Sequence, residues 1–325
     1  MATALAALFQ LPVVALASHA TPVDDLDRLR RALGPRAPRL LMKRDDLLPF
    51  ALGGNKVRKM QAVAAEAIAA HADTLVTCGG VQSNHARVTA ATGATLGLDV
   101  VLILNGPADA PVTGNARLDR LFGAEIRGVA TREARAPAMD EVAAELRAKG
   151  RRPFVVPLGA STPTGALGFA RGVAEIAGSS VSPDVIVHAT SSGGTQAGLV
   201  AGCALLGLTS RILGVSADDP APVLRAVVRG ILEGVADRLG AKPATVGADR
   251  DIEVDDTQVG DGYGKPTPAS TEALELMARR EGILLDPTYT AKAMAGLIAR
   301  VRSGEFTSDQ TVLFWHTGGQ PGYFA

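Results

Sequence analysis

The chain is short of most features that would assign a class on their own. Of its 325 residues only two are cysteine, Cys78 and Cys203. Two cysteines in apolar surroundings make no disulfide framework and suit a reducing compartment, so a cytoplasmic location is expected. Net charge is also absent: 33 basic residues balance 33 acidic ones. That balance leaves no electrostatic footprint for nucleic acid or an anionic membrane surface. No apolar run reaches the length of a membrane span. The five histidines, His19, His71, His85, His188 and His316, lack the spacing of a metal site. There are no repeats, charge blocks or low-complexity tracts. The opening stretch, MATALAALFQLPVVALASHA, is apolar and ends in small residues, as a signal peptide does. However, its first basic residue is Arg28 and Pro12 interrupts it, so it is read as part of the mature fold.

What remains is an ordinary globular composition, 47% hydrophobic and 20% charged, in a chain long enough to bury a sizeable core. Short β-rich runs (RLLMKR, DTLVTCGG, DVVLILNG, AEIRGVA, PFVVPLGA, DVIVHATSSGG, RILGVSAD, TVLFWHTGG) alternate with helical ones (VRKMQAVAAEAIAA, MDEVAAELRAKG, TQAGLVAGCALLG, YTAKAMAGLIARVRSG). Continuous Val/Ile/Leu runs fit strands buried on both faces. The alternation predicts an α/β fold with parallel sheets flanked by helices. Residues 251–270 form the longest stretch without a periodic pattern. Four Gly-Gly pairs, Gly53-Gly54, Gly79-Gly80, Gly193-Gly194 and Gly318-Gly319, concentrate at strand ends and helix starts. A single pair makes a tight turn. Four at such loops point to one shared ligand site beyond the carboxyl ends of the strands.

Three of these loops carry chemistry. In VIVHATSSGGTQAG, the turn Ser191–Thr195 joins a buried strand to a helix, and its backbone N–H groups and hydroxyls make an anion nest suited to phosphate. It matches neither a P-loop nor the dinucleotide fingerprint, which counts against a nucleotide-binding oxidoreductase. In GGNKVRK, Lys56 falls in the first turn of a helix, where positive potential lowers its pKa. A lysine so poised suits Schiff-base chemistry with an aldehyde. Lys59, one turn on, could face a phosphate. Three cations at the wrong end of a helix read in isolation as a solvated basic face; beside the other loops, an anionic aldehyde cofactor among them is the alternative explanation. In GGVQSNH, Ser83 or Asn84 can N-cap the next helix. Ser83, Asn84 and His85 also offer three consecutive donor side chains for a substrate carboxylate, whereas His85 alone reads as a structural hydrogen-bonding histidine.

KRDD at Lys43–Asp46, GGNKVRK, QSNH at Gln82–His85, SSGGTQAG, GILLDPTYTAKAMAGL and HTGG occur in this order. Together they resemble the pyridoxal-phosphate enzymes of fold type II, within the D-cysteine desulfhydrase and 1-aminocyclopropane-1-carboxylate (ACC) deaminase family. ATPVDDLDRL also looks like that family's opening, so the resemblance spans nearly the whole chain. It implies two open twisted, mostly parallel sheets flanked by helices, as in the tryptophan synthase β chain. A large domain (1–59 and 167–325) would hold the cofactor and a small α/β domain (60–166) would be inserted. It implies pyridoxal 5'-phosphate as cofactor, a small amino-acid substrate and a homodimer, with no nucleic acid, membrane or metal.

Position by position, Lys56 matches the lysine that binds the cofactor's aldehyde and moves the Cα proton. Asn84 matches the residue near the phenolic oxygen, with Asn55 beside the lysine. Ser83, with His85, matches the substrate-carboxylate group. Ser192, Gly193, Gly194 and Thr195 match the phosphate loop, assisted by Lys59. Tyr263, in GDGYGKP, and Tyr289 match two active-site tyrosines. Thr290 and Thr317 fall near the pyridine edge. ACC deaminases carry glutamate after the tyrosine, where this chain has Thr290. A neutral hydroxyl leaves a weaker electron sink, which suffices for β-elimination, so D-cysteine is the expected substrate. ACC, or another β-substituted alanine such as cysteate, is the alternative, and a non-catalytic cofactor-binding protein the alternative of another class.

Overall fold

The computed structural model describes residues 2–17, 20–107 and 111–325; His19 lies outside them. Ten strands among these residues form two sheets. In chain order they are β1 (Val23–Asp25), β2 (Arg39–Arg44), β3 (Thr74–Gly80), β4 (Asp99–Asn105), β5 (Glu125–Val129), β6 (Pro153–Val155), β7 (Val185–Thr190), β8 (Arg211–Ser216), β9 (Glu253–Asp255) and β10 (Thr311–His316). The larger sheet runs β1-β2-β10-β7-β8-β9 and the smaller β5-β4-β3-β6. Every pairing is parallel except β1 with β2. The smaller sheet takes its strands from one continuous stretch, whereas the larger draws on chain from both sides of it.

The central strands are buried along nearly their whole length because helices cover both faces. All six residues of β7 are buried, as are the first six of β3. The opening helix, Ala2–Gln10, lays Ala4 and Leu8 into the core of the larger sheet. Helix Pro163–Ala177 packs at backbone distance against both Asn55–Ala69 and Gly194–Leu206. A Cβ at Gly168 would fall 2.5 Å from the Arg58 carbonyl oxygen, and one at Gly198 would fall 2.7 Å from that of Ala166. This close stacking sets the Lys56 turn beside the start of helix Gly194–Leu206.

The structure departs from the sequence expectation in two places. The run PFVVPLGA is strand only over Pro153–Val155 and then enters a 3-10 turn at Leu158–Ala160. Pro157 has no N–H with which to continue the ladder. Residues 251–270 contain edge strand β9 and the start of the helix Pro268–Glu281. Three strand residues are too few for an alternating pattern to show.

Candidate active site

The carboxyl ends of both sheets face a common cleft of about 460 Å³. Its walls include Asn55, Lys56, Ser83, Asn84, His85, Ser192, Gly193, Thr195, Tyr263, Tyr289 and Thr317, so loops far apart in sequence meet here. Gly79-Gly80, Gly193 and Gly318-Gly319 line it; Gly53-Gly54 lies behind. Gly318, at φ +84°, leaves no room for a side chain: a Cβ would fall 2.7 Å from the Gly54 Cα. Two of the glycine pairs therefore hold each other, bringing the end of β10 against the Lys56 turn.

One wall is the turn Ser191–Thr195, with Gly193 in the left-handed region at the N-cap of helix Gly194–Leu206. Thr195 Oγ1 accepts from Asn55 Nδ2 at 2.7 Å, tying this wall to the lysine's helix. Gly194 does not line the cleft. Its N–H donates to Ser161 Oγ, which donates to Ser192 Oγ at 2.8 Å. Lys59 lies one hydrogen bond behind the turn, its Nζ 3.2 Å from both Ser161 Oγ and the Gly159 carbonyl oxygen. Burial, and then the charge of Lys56, push Lys59 well below the usual lysine range. Thr190 Oγ1, in the same wall, is buried without a partner among the described residues.

Lys56 stands in the first turn of helix Asn55–Ala69, its Nζ 3.2 Å from Asn55 Oδ1. Its pKa falls to about 8, chiefly through burial and then through the charge of Arg87, with Asp286 opposing. The direction matches the expectation, with burial as the first cause. The three cations of GGNKVRK also have separate explanations. Arg58 points away from the cleft, with Nε and Nη2 donating to Asp45 at 2.7 Å and Nη1 to Glu175 at 2.6 Å.

Ser83 is the N-cap of helix Asn84–Leu96, accepting from Ala86 N at 3.2 Å. Its own hydroxyl has no acceptor among the described residues. His85 donates to Thr77, as a structural hydrogen-bonding histidine does. Thr77 Oγ1 donates to the Val156 carbonyl oxygen at 2.7 Å and so accepts from His85 Nε2–H at 2.8 Å. Nδ1 is then a bare acceptor, buried without a partner among the described residues. Burial, with Lys56 and Lys59 nearby, holds the ring neutral by lowering its pKa well below 6.5.

Tyr263 and Tyr289 share a hydrogen bond between their hydroxyls. Burial and the Tyr263 hydroxyl push Tyr289 well above the usual phenol range, so it stays protonated. Thr317 lines the cleft and Thr290 does not. Thr290 is fully buried and its hydroxyl donates to Asp286 Oδ1 at 2.7 Å. Sequence reasoning missed Asp286 itself, a cleft-lining carboxylate that also accepts from the backbone N–H groups of Thr288, Tyr289 and Thr290. An Asp three residues ahead of a tyrosine at a helix start is the signal that could have revealed it. Arg132 was missed as well. It pairs with Asp218 at 2.5 Å and lies over the Tyr263 ring, 5.6 Å from its centroid.

The sequence profile of a family described as "Pyridoxal-phosphate dependent enzyme" matches residues 14–318. A protein from Yersinia enterocolitica named D-cysteine desulfhydrase is 40% identical over 326 residues, covering 98% of this chain and 97% of its own. One of the same name from Serratia proteamaculans is 39% identical over 332 residues, with the same coverage. A solved structure described as an ACC deaminase homologue superposes with a TM-score of 0.91 at 36% identity, covering 100% of this chain and 97% of that one. Threonine deaminase isoform 2 from Solanum lycopersicum, at 16% identity and a TM-score of 0.69, covers 97% of this chain and 83% of that one and shares the fold. The chain therefore belongs to the pyridoxal-phosphate-dependent enzymes of fold type II, in the family of the D-cysteine desulfhydrases and ACC deaminases.

Proposed function

We propose that the protein is a lyase that eliminates the β-substituent of a small amino acid, with D-cysteine as substrate and pyruvate, sulfide and ammonia as products. The observation that carries this reading is the meeting of Lys56, the Ser191–Thr195 turn and the Ser83 helix start in one cleft. The full-length relatives named D-cysteine desulfhydrase support the choice of substrate.

The residues present fit the cofactor. The turn supplies hydroxyls and backbone N–H groups at a helix N-terminus for a phosphate, and Thr190 Oγ1 is buried there with no partner among the described residues. Lys56 supplies an amine whose pKa is lowered to about 8, and Asn84 lines the same cleft. When bound, the cofactor supplies a conjugated ring that accepts the electrons left by a departing Cα proton. Ser192, Gly193 and Thr195 would hold the phosphate, with Gly194 and Lys59 shaping the turn from behind. Ser83 Oγ and the first N–H groups of its helix hold the substrate carboxylate, where the helix dipole favours an anion. His85 supports that wall through Thr77. Lys56, as free amine, takes the Cα proton. Tyr289, kept protonated and joined to Tyr263, is placed to give a proton to the leaving thiolate. The freed enamine hydrolyses to pyruvate and ammonia, and the departing sulfur leaves as sulfide.

The division into a large domain (1–59 and 167–325) and a small one (60–166) belongs to this reading, supported by the confinement of β3 to β6 within 74–155. So does a cytoplasmic homodimer, for which the two buried free cysteines give support on the side of location. Among the described residues no helix is long and apolar enough to cross a membrane.

The test is product release from cofactor-loaded protein offered D-cysteine, L-cysteine, L-cysteate and ACC side by side. Pyruvate with sulfide from D-cysteine is the expected result. 2-Oxobutanoate from ACC as the main product would assign the deaminase reaction instead.

A further inference from the structure

Asn84 borders the cleft with a side chain whose two ends differ, one a donor and the other an acceptor. Which end a ligand meets is decided by a residue outside the motifs above. Arg87, one helical turn beyond Asn84, is 1% exposed. Its Nη1 donates to Asn84 Oδ1 at 2.6 Å and to Asn115 Oδ1 at 2.8 Å, and its Nη2 donates to the Gly53 carbonyl oxygen at 2.9 Å. Asn115 Nδ2 adds a second donor to Asn84 Oδ1 at 3.0 Å. A guanidinium carries donors only. Asn84 can therefore meet it only through oxygen, and Nδ2 is the end left over for the cleft.

We propose that Arg87 is a positioning residue: it turns the Asn84 Nδ2 donor toward the cofactor while tethering the Gly53-Gly54 loop that leads into Lys56. The inference rests on the cofactor reading above. Packing alone does not explain an arginine here. Asp119 is its neighbouring countercharge, yet neither Asp119 oxygen has a hydrogen-bond partner among the described residues. Burial lowers Arg87 to about 10 and raises Asp119 to about 7. An apolar side chain would fill the space without that desolvation cost. Only a planar fork of donors reaches Asn84, Asn115 and Gly53 together.

The competing explanation is that Arg87 acts only through its charge on Lys56. A double-mutant cycle separates the two. The readout is the dissociation constant of pyridoxal phosphate, followed by the visible absorption of the loaded chain, in wild type, Arg87→Met, Asn84→Ala and the double variant. Each single change is expected to weaken binding about tenfold, the worth of a hydrogen bond to a charged group. The double variant is expected to be no weaker than the weaker single one. Arg87→Lys keeps the charge without the fork and is expected to retain most of the loss. Losses that multiply in the double variant, or wild-type affinity in Arg87→Lys, would overturn the proposal. Unfolding midpoints of the cofactor-free chains check folding, and if Arg87→Met does not fold, Arg87→Lys takes its place in the cycle under the same criterion. Absence of binding by the wild-type chain itself would overturn the functional reading rather than the role of Arg87 within it.

Discussion

A lysine with a pKa of about 8 is about one-tenth neutral at pH 7, against far less for an ordinary lysine. Only the neutral amine attacks an aldehyde. Capture of pyridoxal phosphate by the cofactor-free chain is thus expected to accelerate about tenfold per pH unit below 8 and to level off above it, as stopped-flow absorbance would show. Asp286 raises the Lys56 pKa, so removing its charge must lower it. Asp286→Asn should move the plateau to lower pH, and it should cost about 1–3 kcal/mol of stability because the amide cannot accept from all of Thr288, Tyr289 and Thr290. That Lys56, Ser83, Asn84 and Thr195 line one cleft was legible in the sequence because each sits in a contiguous loop whose chemistry is local. Asp286, Arg87 and Arg132 were not, because their roles depend on partners brought to them by the fold. Thr290 was legible as a position but not as a contact: its hydroxyl is consumed by Asp286.

At the scale of elements, the helix that carries Lys56 is anchored by a buried charge cluster. Arg58 binds Asp45 and Glu175, Lys43 binds Glu175 at 2.6 Å, and Trp315 Nε1 donates to Asp45 at 2.7 Å. Burial alone would raise the Asp45 carboxyl, but Arg58, Trp315 and Thr21 hold it below the usual carboxylate range. Breaking such a pair from one side leaves an uncompensated buried charge. Asp45→Ala is expected to cost about 3–5 kcal/mol in chemical denaturation. A loss under about 1 kcal/mol, the worth of an exposed pair, would show that the cluster is not an anchor. The motif KRDD was visible in the sequence, but its function as a clamp on the Lys56 helix was not, since Glu175 lies 117 residues from Arg58. Most strands were legible from their apolar runs. Edge strands β1 and β9, of three residues each, were too short to announce themselves.

The whole molecule places two sheets on either side of one cleft, and the Arg132–Asp218 pair crosses its mouth from the loop after β5 to the loop after β8. Arg132 is exposed, and exposed pairs are worth up to about 1 kcal/mol. Arg132→Gln is accordingly expected to raise the KM for substrate by no more than about fivefold, with a smaller change in kcat, in steady-state assays of the loaded enzyme. The α/β class and the convergence of glycine loops on one site followed from patterning. The crossing of the cleft mouth did not, because it depends on how the two sheets face each other. In the proposed function, Lys56 is the amine that holds the cofactor in this cleft. Borohydride reduction of the loaded chain, followed by peptide mass analysis, tests it most directly. One reduced pyridoxyl adduct is expected, on Lys56, and none in Lys56→Ala; an adduct on Lys59 or at scattered lysines would overturn that role.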